Sequence, residues 1–212
     1  MVNNKKKNGA DAESNFPVST LSLTLKPEFI PSFFLFLQKG IPVKVQAGSS
    51  IRAFLVEQLG LSDSYIDERV QILFLDGKPV DALDSAVIKD GSTLALSAAS
   101  PGLLGAMLRK GSYYKQMRSQ ISYKQDSEKV PKKEGMVVLK LFNLLTKELG
   151  PSLLKQGVWI QGKDLQYFFK KQPDRFWAGC RKALLNGEAI DLKELAARDW
   201  PPDYVFLKLE ET

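Results

Sequence analysis

Side chains able to do chemistry are scarce in this chain of 212 residues, and the scarcity narrows the function. Histidine is absent altogether. That removes the commonest general base at neutral pH and the commonest metal ligand, which argues against His-dependent hydrolase, kinase and zinc chemistry. The single cysteine, Cys180, cannot close an internal disulfide and belongs to no CxxC motif. It reads as a small buried residue without a histidine to activate it, and a lone thiol suits a reducing cytoplasm, the expected location. Asp63, Asp67, Glu68, Asp81 and Asp84 read as solvated loop charges rather than paired acids, and Trp159, Trp177 and Trp200 as packing residues. No phosphate-binding loop or nucleophile–base pair is recognisable. The expectation is a non-enzyme with no catalytic residue, no cofactor and no metal.

What the chain offers instead is a basic stretch. Arg109, Lys110, Lys115, Arg118, Lys124, Lys129, Lys132 and Lys133 face only Asp126 and Glu128 there, and they account for most of the net charge of +6. Tyr113, Tyr114 and Tyr123 are interleaved, the mixture of cations and stacking rings that contacts nucleic acids. Arg109, Lys110, Lys115, Arg118, Lys124, Tyr113 and Tyr114 are therefore the candidate contacts to an acidic partner. A plainer reading competes, because Met107, Tyr114, Met117 and Ile121 lie near helical spacing and could pin a linker helix to a domain. Membrane-surface contact ranks last, since the stretch looks short of large apolar anchors on one face.

The elements that would carry this stretch come twice. Leu21-Ser22-Leu23-Thr24-Leu25, Pro31-Ser32-Phe33-Phe34 and Gln38-Lys39-Gly40 lead to Leu75-Asp76-Gly77-Lys78-Pro79-Val80-Asp81. Val137-Val138-Leu139-Lys140-Leu141, Pro151-Ser152-Leu153-Leu154 and Lys155-Gln156-Gly157 lead to Leu185-Asn186-Gly187-Glu188-Ala189-Ile190-Asp191. A repeat in the same order, at similar spacing, predicts duplicated domains.

In the first copy, alternating Leu21, Leu23 and Leu25 predict a half-buried strand. A short apolar helix follows over Pro31–Leu37, with Gly40 as its cap, and then a strand over Ile41–Val45. Ser49 or Ser50 caps a main helix carrying Ile51, Phe54, Leu55 and Leu59. Val70–Leu75 is a strand ending in the hairpin dipeptide Asp76-Gly77, and Thr93–Leu96 closes the unit. In the second copy Val137–Leu141 is the strand and Asn143–Leu149 the helix, stopped by Gly150-Pro151. Val158-Trp159-Ile160 is the next strand, Asp164 caps the helix of Leu165, Phe168 and Phe169, and Asn186-Gly187 turns the hairpin. Tyr204–Leu209 closes the sheet with Val205, Leu207 and Leu209 inward. Residues 173–185 read as either helix or strand.

This order resembles the ubiquitin-like β-grasp, and within it the sulfur carriers: the small subunit of molybdopterin synthase and the thiamine-pathway carrier. The resemblance rests on Leu141-Phe142-Asn143-Leu144-Leu145-Thr146-Lys147-Glu148-Leu149-Gly150, on Ala47-Gly48-Ser49-Ser50-Ile51-Arg52-Ala53-Phe54-Leu55, and on Leu75-Asp76-Gly77-Lys78-Pro79-Val80 with Lys89-Asp90-Gly91-Ser92-Thr93-Leu94-Ala95-Leu96. It implies an α+β fold of two tandem β-grasp domains. Such carriers act through a terminal Gly-Gly. Here Ser100-Pro101-Gly102-Leu103-Leu104-Gly105 stands in its place, the chain continues, and the second copy ends Glu210-Glu211-Thr212.

The expected organisation is a disordered tail at 1–15, a first β-grasp domain at 16–100, a basic connector at 101–135, possible in helical form, and a second β-grasp domain at 136–212. The strongest apolar run, Phe29 to Leu37, is broken by Pro31 and Ser32 and falls short of the ~20 residues of a membrane span. The expected function is a non-catalytic adaptor with a protein partner. Two alternatives stand beside it: a ubiquitin-like or sulfur-carrier precursor processed after Gly105, and a nucleic-acid-associated protein acting through the connector.

Overall fold

The computed structural model describes residues 19–124, 130–200 and 202–212. The tail expected at 1–15, Lys129 of the connector and Pro201 lie outside them. The fold is α+β, with two five-stranded sheets.

The strands are β1 (Ser19–Leu25), β2 (Ile41–Ala47), β3 (Ile72–Leu75), β4 (Lys78–Pro79) and β5 (Thr93–Ser97), then β6 (Lys133–Phe142), β7 (Val158–Gln161), β8 (Cys180–Leu185), β9 (Glu188–Ala189) and β10 (Tyr204–Glu211). The α-helices are α1 (Phe34–Lys39), α2 (Ile51–Ala53), α3 (Asp63–Glu68), α4 (Gly102–Leu108), α5 (Leu144–Gln156), α6 (Gly162–Lys170), α7 (Asp174–Gly179) and α8 (Leu192–Ala197). A 3-10 run, Pro27–Phe33, leads into α1, and a π-helical turn, Phe54–Gln58, extends α2. Ser50 caps α2 by accepting from the Ala53 amide at 3.2 Å.

Sheet one runs β2-β6-β5-β3-β4 and sheet two runs β7-β10-β1-β8-β9. Their pairings follow one pattern. An antiparallel edge pair is followed by a parallel central pair, then by two antiparallel pairs ending in the hairpin. The two sheets therefore share one order of parallel and antiparallel pairs. Each sheet nonetheless takes one strand from the other half of the chain: β6 enters sheet one between β2 and β5, and β1 enters sheet two between β10 and β8. The two incoming strands occupy different places. β6 lies beside the edge strand, whereas β1 lies beside the hairpin.

Local chemistry explains the individual elements. Leu21, Leu23 and Leu25 are buried from β1, and Val137, Leu139 and Leu141 from β6, so both present one apolar face at period two. Val205, Leu207 and Leu209 fill the inward face of β10. Asp76-Gly77 and Asn186-Gly187 hold positive φ at both residues (50° and 77°, 54° and 87°), as a type I′ hairpin turn requires. One continuous core joins the halves. Phe33 and Phe36, which follow β1, pack against Phe168 of α6 with ring centroids 4.7 and 5.2 Å apart. Phe29 meets Phe176 of α7 edge-on at 5.7 Å.

Three expectations change. Gly150-Pro151 does not stop a helix, because α5 runs through both residues to Gln156. A Cβ at Gly150 would lie 2.8 Å from Phe34 Cε1 and 3.0 Å from Leu37 Cδ1, so this glycine permits the close approach of α1. Buried Leu145 and Leu154 lie on either side of Pro151, and the packing they make outweighs the amide hydrogen bond it lacks. The stop is Gly157, at φ 111°. Asp164 lies inside α6 rather than at its cap, and it accepts from Lys39 Nζ at 2.6 Å. Residues 173–185 are both things in turn, α7 and then β8.

Candidate functional site

The connector joins the two copies along the β3–β4 end of sheet one, and it is built inside out. Arg118 is 2% exposed, whereas Leu103 (60%), Leu104 (67%), Met117 (63%) and Ile121 (60%) stand in solvent. Buried cations and exposed clusters of large apolar side chains are the two departures from ordinary burial that carry information.

Local geometry shows how the inversion is held. α4 starts after Pro101, and the 3-10 run Tyr113–Arg118 folds back against it. Arg118 is the peg. Its guanidinium donates to Asp81 at 2.8 and 3.2 Å, to the Met107 carbonyl at 2.6 Å and to Ser122 Oγ at 2.8 Å. A planar fork with five donors meets a carboxylate and several other acceptors at once, which a burial of this kind demands. Asp81 also accepts from the Gly111 amide at 2.9 Å, so one carboxylate gathers two parts of the connector.

Lys110 is the second anchor. Its backbone amide donates to the Gln71 carbonyl at 2.8 Å and its ammonium to the Ile66 carbonyl at 2.6 Å, with Asp67 3.8 Å away. Loss of water pushes its pKa below the ordinary lysine value, and the Asp67 charge partly restores it. The Tyr123 amide closes the segment onto the Pro79 carbonyl at 2.8 Å.

The seven expected partner contacts therefore divide. Arg118 and Lys110 point into the protein and serve as staples, a correction whose cause is the Asp81 carboxylate and the α3 carbonyl beneath them. Arg109, Lys115, Lys124, Tyr113 and Tyr114 are exposed. Tyr113 is 90% exposed and stacks edge-on with Tyr114 at 5.5 Å. Arg109, Lys115 and Lys124 have no ion-pair partner among the described residues. Met117 and Ile121, expected at helical spacing on an inward face, are turned out because Arg118 takes the inward position. Large apolar anchors, expected to be lacking, are thus present.

Gly105, the candidate processing site, lies within α4 and is buried. Its carbonyl accepts from the Arg109 amide at 3.1 Å, and a Cβ there would fall 1.9 Å from the Ser100 carbonyl oxygen. A protease would have to unwind α4 to reach this bond.

The carboxylates read as solvated loop charges are mostly engaged. Arg52 draws in Asp63 at 2.7 Å, Asp67 at 3.0 Å and Asp84 at 2.9 Å, and these hydrogen bonds raise its already high pKa. Sequence distance hid the convergence, since α3 supplies Asp63 and Asp67 and the turn after β4 supplies Asp84. Glu148 of α5 receives Tyr65 Oη at 2.7 Å and pairs with Arg69, tying α3 to the second half. The Arg69 hydrogen bond, then that of Tyr65, holds the Glu148 carboxyl below the usual range. Burial, followed by the bond to Glu148, raises the Tyr65 phenol.

Comparison with family models, with curated proteins and with solved structures finds no match to the chain. The site is therefore argued from its own geometry.

Elsewhere the lone Cys180 is buried, which raises its thiol pKa, and its Sγ lies 3.7 Å from the Lys182 carbonyl. Trp177 and Trp200 pack against Phe169 at 5.6 and 6.2 Å, and Trp159 against Phe206 at 4.8 Å. Two hollows of about 200 and 310 Å³ flank the Lys39–Asp164 pair at the seam between α1 and α6, the larger floored by Phe36 and Phe168. No helix among the described residues is long and apolar enough to cross a membrane.

Proposed function

We propose that this protein is a non-catalytic interaction protein, a duplicated β-grasp frame that presents the connector to a negatively charged partner. The observation that carries the reading is the inversion: Arg118 is spent inside on Asp81 while Leu103, Leu104, Met117, Ile121 and Tyr113 are held outside. A segment needing only to bridge two domains gains nothing from that arrangement, because exposing large apolar side chains forgoes their burial. Their fixed presentation prepares them for contact, since the ordering cost of the segment is met before binding.

The repeated pairing pattern of the two sheets supports the duplicated β-grasp reading. The helical setting of Gly105 weighs against processing at that bond, so the adaptor reading stands ahead of the precursor.

The test is a titration of the full chain with three negatively charged probes at low salt: an acidic polypeptide, single-stranded DNA and anionic lipid vesicles. The reading expects binding to at least one, weakened by Leu103→Ser/Met117→Ser and by Arg109→Gln/Lys115→Gln. Both variants change exposed positions and should melt within about 0.5 kcal/mol of the parent. A chain that ignores all three probes, or binds one without regard to these residues, rules it out.

A further inference from the structure

Three chemistries bear a negative charge that this connector could meet, and its side chains discriminate among them. We infer that the partner is an anionic lipid bilayer, with Leu103, Leu104, Met117 and Ile121 entering the acyl boundary and Arg109, Lys115 and Lys124 remaining among the headgroups; this rests on the interaction reading above.

Charge comes first. Residues 101 to 124 hold five cations and no carboxylate. Arg118 is neutralised by Asp81 and Lys110 is turned inward, which leaves Arg109, Lys115 and Lys124 at the surface, with no carboxylate in the segment to repel a lipid phosphate. Exposed cations of this kind are drawn to the negative potential of an anionic leaflet.

The apolar side chains then decide the class. A nucleic acid would use the cations and the Tyr113–Tyr114 rings but would leave four aliphatic side chains without a function. A protein would have to supply a matching hollow for each of four side chains that protrude with 60–67% of their surface in water. A fluid bilayer accepts protruding aliphatics without shape matching, and the pairing of Leu, Ile and Met with lysine and arginine is the composition of segments that lie in the interface. Tyr113, at 90% exposure, has the amphipathic ring that settles at headgroup depth.

The segment would lie on the membrane and not cross it. α4 has seven residues and the following 3-10 run six. The staples from Arg118 and Lys110 keep the two pieces folded against sheet one, so docking needs no unfolding of the frame.

The experiment is flotation of the full chain with vesicles of phosphatidylcholine alone and of phosphatidylcholine with phosphatidylserine, at low and at high salt. Binding is expected with phosphatidylserine and much less without it. Removing either Arg109 or Lys115 should lower partitioning about fivefold. Leu103→Ser/Leu104→Ser/Met117→Ser, which leaves every charge in place, should lower it by more than tenfold. Tyr113→Trp supplies a second reading: its emission should shift to the blue on vesicle addition and be quenched by brominated acyl chains. Vesicle binding unaffected by the serine variant, or a Tyr113→Trp probe that stays in water, overturns the inference. Binding to the acidic polypeptide or to DNA but not to vesicles also overturns it while leaving the interaction reading standing. Binding to no probe removes both.

Discussion

Leu23 lies directly opposite Leu209 in the parallel pair β1–β10, so residues from opposite ends of the sequence complete the middle of one sheet. Both are buried, at 1% and 2% exposure. Leu23 also faces Ala183 of β8 across its other edge. The first copy's opening strand is thus part of the second copy's sheet.

This pairing predicts where damage to β1 is felt. Leu23→Ala should cost about 2–5 kcal/mol, the range for a buried leucine truncated in a core. All three tryptophans lie in the second copy, so urea unfolding followed by tryptophan fluorescence reads the loss directly. Residues 130–212 on their own should remain unfolded, and a peptide spanning 19–39 should restore structure. A fragment that folds without the peptide would refute the exchange of strands.

Arg118 and Asp81 should behave as a coupled pair. Arg118→Met strands a carboxylate that is 31% exposed at its side chain, so the expected loss is about 2 kcal/mol, below the range for a fully buried pair. Asp81→Asn should cost a similar amount, and the double variant less than the sum. Denaturant melts of the four proteins measure the coupling, and simple additivity would show that the pair does not hold the connector.

Gly150→Ala improves helix propensity by roughly 1 kcal/mol yet places a methyl 2.8 Å from Phe34 Cε1. Overpacking at such a contact costs about 1–3 kcal/mol, so the net effect should be a lower melting temperature. A rise in melting temperature would mean that α1 can move away from α5 without loss.

Acid should weaken the frame at two identified places. Glu148 is held below the ordinary carboxyl range first by the Arg69 hydrogen bond and then by Tyr65. Asp90 is held down first by the Met136 amide, which donates to it at 2.9 Å, and then by Lys133. A carboxylate whose folded pKa is depressed stabilises the fold fully above its unfolded value, near pH 4. That contribution is lost as pH falls from there through the depressed folded values. Melting temperature should therefore drop with pH below about 4, and Glu148→Gln with Asp90→Asn should flatten the drop. An unchanged slope in that double variant would assign the acid sensitivity to other groups.

Much of the fold could be read from local pattern. Alternating leucines announced β1, and Val205, Leu207 and Leu209 announced the inward face of β10, because a strand with one buried face must repeat at period two. Asp76-Gly77 and Asn186-Gly187 announced their hairpins, because both residues of such a turn need positive φ. Gly40 marked the end of α1, at φ 120°. Each of these signals is complete within a few neighbouring residues.

What only the tertiary structure decided concerns partners at long range. Leu21-Ser22-Leu23-Thr24-Leu25 and Val137-Val138-Leu139-Lys140-Leu141 carry the same alternation, and alternation sets which face is buried but not which sheet supplies the neighbour. Either strand satisfies the period in either sheet, so the exchange had no local signature. Gly150-Pro151 looked like a stop because propensity weighs residues singly, whereas the close approach of Phe34 and Leu37 decides what that glycine does. The inversion of the connector was hidden for the same reason. Burial of Arg118 depends on Asp81, a distant carboxylate with no sequence relation to it, and once that pair forms, Met117 and Ile121 have only solvent to face.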